Sequence, residues 1–168
     1  MLRQVILAGS MLFVAIPAFA DKFDDCRQPS NPDKRIQGCT EIIETETSER
    51  AVAMAHVNRA RGYHAKNQLD LAIADFSRAI EVQPNNQVFL HDRGRAYIDK
   101  GQYDLAIADF NRSIENNSVY VKSYIGRGEA YEALGNNEEA IANYRRAYSI
   151  NPKLGAKARD HLQRLGGG

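Results

Sequence analysis

Three arginines recur at intervals of 34 residues, and each is followed sixteen residues later by a carboxylate or an amide. A guanidinium group and a carboxylate can form two parallel hydrogen bonds, which suits either contact with an anionic ligand or an internal structural link. We favour the structural interpretation, an ion pair or hydrogen bond within each repeating unit, and a ligand contact is the alternative. The three pairs are Arg59 with Asp75, Arg93 with Asp109, and Arg127 with Asn143.

The four histidines do not form a known metal-binding or catalytic motif. His56, His64, His91 and His161 include no H-x-x-x-H or H-E-x-x-H pair. The sequence also has no G-x-S-x-G motif and no phosphate-binding glycine loop. We therefore predict a chain that is not an enzyme and that has no cofactor and no metal site.

The elements that must position these side chains follow from an internal repeat. The stretch LDLAIADFSRAIE at 69–81 returns as YDLAIADFNRSIE at 103–115 and as NEEAIANYRRAYS at 137–149. A fixed period of this size indicates stacked supersecondary units. In each copy the small, aliphatic and aromatic residues fall at steps of three and four, which predicts one buried helix face. The stretch before each copy predicts a first helix, which in the second unit ends near Gly101.

These residues resemble the tetratricopeptide repeat family. They share its 34-residue period, a small residue followed by Tyr in the first helix, and Ala, an aromatic residue and a small residue in the second helix. Pro84 and Pro152 close the first and third units where the family places proline, whereas Ser118 stands in the second. The resemblance covers about 53–154 and implies an all-α fold, a right-handed superhelical stack of helix-turn-helix repeats.

The first twenty residues belong to a different kind of segment. They contain Arg3, a short apolar run and the small-x-small triplet Ala18-Phe19-Ala20 before Asp21. This arrangement is typical of a cleaved secretory signal. The run is shorter than the roughly 20 residues that a membrane-spanning helix needs. We therefore expect cleavage before Asp21.

Export would place the two cysteines of the chain in an oxidising compartment. Cys26 and Cys39 are an even pair in an oxidising compartment, which favours a disulfide, and they lack the C-x-x-C spacing of redox and zinc motifs. When 33–44 is aligned with 70–81, Cys39 falls on Phe76. We interpret 22–44 as a degenerate repeat in which a disulfide replaces aromatic packing, and an unstructured leader with a loop disulfide is the alternative.

The chain ends in a predicted capping helix, because repeat arrays need a terminal element with a polar outer side. Leu154, Ala158, Leu162 and Leu165 fall along one face of this helix. The expected organisation is a cleaved signal peptide at 1–20, a degenerate disulfide-linked unit at 21–48, three units within 49–154 (about 53–86, 87–120 and 121–154), and the capping helix with a glycine tail at 155–168.

In the family, the first helices line a concave groove that receives peptides or partner helices. The implied groove is basic toward the first two units and acidic in the third, which favours a segment carrying acidic side chains or a free carboxylate. A merely solvated face is the alternative, and the family's carboxylate clamp is not present in its known form, since only Lys122 matches it. The groove residues are Val57, Arg61 and His64 in the first unit, His91, Arg95, Ile98 and Asp99 in the second, and Lys122, Ile125, Glu129 and Glu132 in the third.

The overall charge gives no reason to expect nucleic acid as a partner. The chain has 22 basic and 21 acidic residues, and a chain so close to neutral has no bulk attraction for a polyanion. We expect a monomeric, non-enzymatic interaction scaffold of the cell envelope, without a membrane span, in the periplasm of a Gram-negative bacterium. Its expected partner is another protein or a peptide segment. A self-associating repeat module is one alternative, and a metal-binding or enzymatic protein with a site at the groove mouth is another.

Overall fold

The structure is a computed structural model that describes residues 22–28 and 30–166. Within these residues it contains nine α-helices and no strand, which confirms the predicted all-α class. None of the helices in this part of the chain is long and apolar enough to cross a bilayer. The predicted signal peptide at 1–20 lies outside the described residues.

The helices form a stack of antiparallel pairs. Each helix packs against the next one along the chain, and α1, α3, α5 and α7 also pack against one another in that order. We call α3, α5 and α7 the first helices of the three units, and α4, α6 and α8 the second helices. The bounds are α1 Lys22–Arg27, α2 Pro32–Thr45, α3 Glu49–Ala65, α4 Leu69–Val82, α5 Gln87–Asp99, α6 Tyr103–Asn116, α7 Val121–Ala133, α8 Asn137–Ile150 and α9 Ala156–Arg164.

The turn inside each unit requires one residue with a left-handed backbone. Gly101 and Gly135 have φ angles of 77° and 80°, and Asn67 holds the same place in the first unit with φ 57°. Glycine adopts this conformation without a steric penalty, and asparagine tolerates it better than most residues. The predicted end of a first helix near Gly101 is therefore confirmed.

The core of each unit is centred on one large aromatic side chain of its second helix. Phe76, Phe110 and Tyr144 are fully buried at equivalent positions. The ring of Phe110 packs directly on two glycines: a Cβ atom added to Gly94 would lie 2.8 Å from its Cε1, and one added to Gly126 would lie 2.5 Å from its Cζ. Small residues on the first helices are thus needed because the aromatic ring occupies the space that a side chain would take.

A fourth helix pair, α1 with α2, stacks on the first unit. The Cys26–Cys39 disulfide joins its two helices, and both cysteines are buried in a cluster with Ile42 and Ala55. Residues 22–28 and 30–45 therefore do not form an unstructured leader in this structure. Helix α2 begins at Pro32, since proline is favoured in the first turn of a helix.

The stacking of α2 on the first unit repeats the stacking of the units on each other. Lys66, at the end of α3, forms an ion pair with Asp33 of α2, and Lys100, at the end of α5, forms the equivalent pair with Asp70 of α4. The two carboxylates hold equivalent positions near the start of their helices. The fourth pair thus contacts the first unit through the same helix positions by which the first unit contacts the second.

Helix α9 covers the end of the stack, where Ala158 and Leu162 are buried against α8. The prediction that Leu154 shares this face is wrong, since Leu154 lies in the turn before α9 and is exposed. Asn151 explains the difference, because its Oδ1 accepts the backbone N–H groups of Lys153 and Leu154 at 3.1 and 3.0 Å. This side-chain turn ends α8 and holds Leu154 outside the helix.

Removal of the disulfide should lower the free energy of unfolding by about 2–3 kcal/mol, because the bridge closes a loop of 13 residues in the unfolded chain. The double variant Cys26→Ser/Cys39→Ser should show this loss in urea denaturation followed by circular dichroism. Thiol labelling of the denatured, non-reduced wild type should find no free cysteine. Labelling of two thiols would contradict the bridge.

Candidate functional site

The repeated arginines join the two helices of their own units. In the second unit, Nε and Nη2 of Arg93 donate to Oδ2 and Oδ1 of Asp109, both at 2.7 Å. In the first unit, Arg59 makes the same bidentate contact with Asp75, at 2.7 and 2.9 Å. These side chains meet as the sixteen-residue spacing predicts, and both carboxylates are buried. They are internal links of the fold and are not exposed to a ligand.

Each arginine also reaches back to the second helix of the preceding pair. This additional contact makes each guanidinium a link between three helices, and the sequence analysis did not predict it. In the second and third units, a polar residue sixteen positions before the arginine could have indicated this contact. The Nη1 contacts are Arg59 with Thr40 Oγ1 at 3.1 Å, Arg93 with Ser77 Oγ at 2.9 Å, and Arg127 with Asn111 Oδ1 at 2.5 Å; Arg127 Nε donates to Asn143 Oδ1 at 2.7 Å.

The ionisation of these pairs follows from their hydrogen bonds. Burial acts to raise the pKa of Asp75, but hydrogen bonds from Arg59 and His56 outweigh it, so its pKa lies below the ordinary value. The hydrogen bond to Asp109 raises the pKa of Arg93 above its ordinary value, although burial opposes it. Both interactions therefore stabilise the charged forms within the core.

The predicted basic strip on the first helices is largely neutralised within the chain. Arg61 Nη2 lies 2.7 Å from Asp92 Oδ2, which belongs to the next unit. Arg95 pairs in the same way with Glu129, one unit further. Each arginine therefore already has a carboxylate partner in the neighbouring unit, and its contact with a partner protein stays a prediction.

His64 and Asp99 are likewise paired with each other. His64 Nε2 lies 2.6 Å from Asp99 Oδ2, across the first and second units. His91 Nδ1 lies 3.0 Å from Asp92 Oδ1, and its ring packs edge-on against Tyr120. The contact between His64 and Asp99 thus connects two units, as the contacts of Arg61 and Arg95 do.

The acidic end of the predicted groove is also neutralised. Glu132 accepts a hydrogen bond from the Tyr144 hydroxyl at 2.9 Å and lies 3.0 Å from His161 Nδ1 and 2.5 Å from Arg164 Nη1. Burial acts to raise the pKa of Glu132, but these hydrogen bonds hold it below the ordinary value. Helix α9 thus supplies cations to the third unit, and Glu132 is not open to repel or attract a partner.

One aliphatic residue was assigned to the groove incorrectly. Val57 is fully buried and belongs to the core cluster that includes Phe89 and Leu90 of the next unit. The stacking of α5 on α3 covers it. Ile98 and Ile125, in contrast, are partly buried.

A pocket of about 210 Å³ remains between α5, α7 and α9. It has an excess of positive charge, because three cationic side chains surround one carboxylate. Glu129 binds Arg95 and also Lys157, whose Nζ lies 2.6 Å from its Oε1. Lys122 is exposed and has no hydrogen bond or ion pair with any residue that the structure describes. We call this the cationic pocket, and its lining residues are His91, Arg95, Lys122, Ile125, Gly126, Glu129 and Lys157.

The described residues offer neither a metal site nor a catalytic pairing beside this pocket. Among residues 22–28 and 30–166, no group of three or more His, Cys, Asp or Glu side chains could hold a metal ion. The pocket itself contains no pairing of a nucleophile with a base. Its geometry suits the binding of an anion.

Comparison with known proteins supports the fold. The first TPR domain of human RPAP3 is 27% identical, with a TM-score of 0.64, over 68% of this chain and 89% of that one. The first TPR of Spaghetti (RPAP3) bound to the HSP90 peptide SRMEEVD is 27% identical, with a TM-score of 0.61, over 68% and 93%. A crystal structure of MamA covers 84% of this chain and 91% of that one at 18% identity, with a TM-score of 0.69, and shows the fold alone.

Sequence comparison identifies the repeat itself. None of the curated protein sequences matches the chain. Models of the tetratricopeptide repeat match it at 54–86 and at 91–154. These ranges include most of the three helix pairs that carry the repeated arginines. The chain therefore belongs to the tetratricopeptide repeat family.

Proposed function

We propose that this chain is a non-enzymatic interaction scaffold of the cell envelope and that its cationic pocket binds a carboxylate of a partner protein. The observation that carries the proposal is the unequal pairing of charges in the pocket. Glu129 already holds Arg95 and Lys157, so the ammonium group of Lys122 adds a positive charge without a fixed counterion among the described residues.

A carboxylate fits this pocket in size and in charge. The pocket volume of about 210 Å³ accommodates a chain end or one acidic side chain. Lys122 and Lys157 supply ammonium donors, and charge-assisted hydrogen bonds of this kind are roughly twice as strong as neutral ones. Ile125 and the ring of His91 supply the less polar part of the lining.

A similar protein supports the choice of a peptide ligand. The first TPR of Spaghetti (RPAP3), 27% identical to this chain, is bound to an HSP90 peptide, SRMEEVD, in which three of the last four residues are acidic. For this chain, we infer a segment that is extended along the first helices and that ends in, or carries, a carboxylate. The partner is a protein or peptide and not nucleic acid.

The cell-envelope setting rests on two features of the sequence. The segment 1–20 has the composition of a cleaved secretory signal. The disulfide between Cys26 and Cys39 suits an oxidising compartment such as the periplasm. Fractionation of cells that express the full chain should find the protein, without its first twenty residues, among periplasmic proteins.

The charge reversal Lys122→Glu should weaken binding of a carboxylate peptide by about tenfold or more, because it removes the unpaired cation and places a like charge in the pocket. The probe is a fluorescein-labelled Gly/Ser peptide that ends in two glutamates with a free C-terminal carboxylate. Fluorescence anisotropy measures its affinity, and the same peptide with a C-terminal amide tests the contribution of the carboxylate.

The matched control is Lys153→Glu, since Lys153 is also exposed but does not line the pocket. Its affinity should stay within about twofold of the wild type, as expected of an exposed charge that is screened by salt. Arg61 and Arg95 are unsuitable for this test, because a glutamate in either position would face Asp92 or Glu129 and destabilise the stack. Equal affinity of the wild type and Lys122→Glu for the free-carboxylate peptide would contradict the proposal.

A further inference from the structure

A second cavity, of about 250 Å³, lies between α1, α2 and α3. We call it the apolar cavity, because most of its lining is aliphatic, aromatic or sulfur-containing. Two large apolar side chains of its lining are exposed, Phe23 at 40% and Met54 at 42%. The lining residues are Phe23, Cys26, Arg27, Ile42, Ala51, Met54, Ala55 and Asn58.

The register of the repeats places both cavities on one side of the stack. Met54 and Asn58 line the apolar cavity, and Lys122 and Gly126, which hold the same positions two units later, line the cationic pocket. Equivalent positions of stacked first helices point in the same direction. The two cavities therefore lie on the same face of the first helices, one at the first unit and one at the third.

The floor of the apolar cavity is rigid. Cys26 is fixed to Cys39 by the disulfide, and Ile42 packs in the same buried cluster. A cavity that exists before binding does not require the ligand to order it, which favours affinity. An apolar cavity of about 150 Å³ is large enough for benzene, so this one can accept a phenyl or branched aliphatic side chain.

We propose that the apolar cavity binds one large apolar side chain of the same partner segment whose carboxylate enters the cationic pocket. This inference rests on the proposed function. The cationic pocket lies on the same face of the first helices, and the segment that it binds is therefore the occupant proposed for the apolar cavity. Adjacent packed helices lie about 8–10 Å apart, so two steps along the first helices span roughly 20 Å. An extended chain advances about 3.3 Å per residue, which places the apolar residue about six positions before the carboxylate.

The test uses four fluorescein-labelled Gly/Ser peptides. Two carry Phe six positions before the C-terminus and two carry Ser there. Each version is made once with two C-terminal glutamates and a free carboxylate, and once with two glutamines and a C-terminal amide, so that the second form has no carboxylate near its end. For the wild type, the Phe peptide with a free carboxylate should bind at least tenfold more tightly than its Ser counterpart. In Met54→Asp, this ratio should fall to about one, while the affinity for the Ser peptide stays unchanged.

The control variant is Leu71→Asp, which also places a carboxylate at an exposed apolar position but lines neither cavity. It should keep the preference for Phe. Circular dichroism should show the same helix content for both variants, since neither side chain is buried.

The four peptides separate this inference from the proposed function. Binding that depends on the free carboxylate but shows no preference for Phe would overturn the apolar cavity as a binding site and leave the cationic pocket. A preference for Phe without dependence on the carboxylate would overturn the cationic pocket alone, and the absence of both would overturn both. Dimerisation of the wild type that Met54→Asp abolishes, measured by sedimentation velocity, would assign the cavity to a second copy of the chain and overturn this inference.

Discussion

Replacement of Phe110 by alanine is expected to lower the free energy of unfolding by about 3–5 kcal/mol, the usual range for a buried phenylalanine. Phe110 is fully buried in the middle unit. Its ring lies against Gly94 of its own unit and Gly126 of the next unit, close enough that a Cβ atom at either glycine would overlap with it. Because neither glycine has a side chain that could move into the space, the cavity left by the variant cannot close without a shift of the helices.

Urea denaturation followed by circular dichroism at the helix signal measures this loss. The control is Leu105→Ala on the same helix, where an exposed side chain is shortened and the expected change is about 0.5 kcal/mol or less. A loss below about 1 kcal/mol for Phe110→Ala would mean that the ring does not hold the second and third units together. A lower m-value, the dependence of the free energy of unfolding on urea concentration, would indicate that the second and third units unfold separately in this variant.

The packing of Phe110 on Gly94 was predictable from the sequence because both residues lie in one unit of the repeat. The aromatic positions, the small residues that face them and the turn at Gly101 recur every 34 residues, and a helical period translates directly into a buried face. The pairing of each arginine with the residue sixteen positions later followed in the same way. Both partners lie in one helix pair, whose geometry is nearly fixed.

Interactions between units were not predictable from the same pattern. The contacts of Arg61 with Asp92 and of Arg95 with Glu129 depend on the rotation between neighbouring units, which the sequence of one unit does not specify. The burial of Val57 by the next first helix has the same cause. For this reason, the sequence suggested a charged groove, whereas the structure leaves one pocket with an excess of cations.

The end of the stack departed from the pattern for a local reason. Leu154 fits the apolar face of a regular helix, but Asn151 forms a side-chain turn at this point. Helix α9 therefore begins only at Ala156, two residues after Leu154. A short-range hydrogen bond thus overrode the helical period. The cations of α9 that reach Glu129 and Glu132 had no repeated counterpart from which they could be recognised.

Loss of either partner of the Arg93–Asp109 pair is expected to destabilise the fold by about 3–5 kcal/mol, because the other partner then remains as a buried, uncompensated charge. Asp109 is only 3% exposed, and both of its oxygens accept from Arg93 at 2.7 Å. In Asp109→Ala, the guanidinium keeps the hydroxyl of Ser77 as its acceptor, but a neutral hydroxyl does not replace a carboxylate. Urea denaturation of the two single variants, Arg93→Ala and Asp109→Ala, measures both losses.

The double variant Arg93→Ala/Asp109→Ala decides whether these losses come from the contact itself. It should lose less than the sum of the single variants, by a coupling free energy of about 0.5–3 kcal/mol, because removing both charges leaves neither of them buried alone. The exposed pair Arg27–Asp24, with side chains 69% and 71% exposed, is the control and should show a coupling below about 1 kcal/mol. Strict additivity at Arg93 and Asp109 would mean that the side chains do not meet in solution. The repeated arginines would then be open to a ligand, which is the interpretation that the sequence alone left as the alternative.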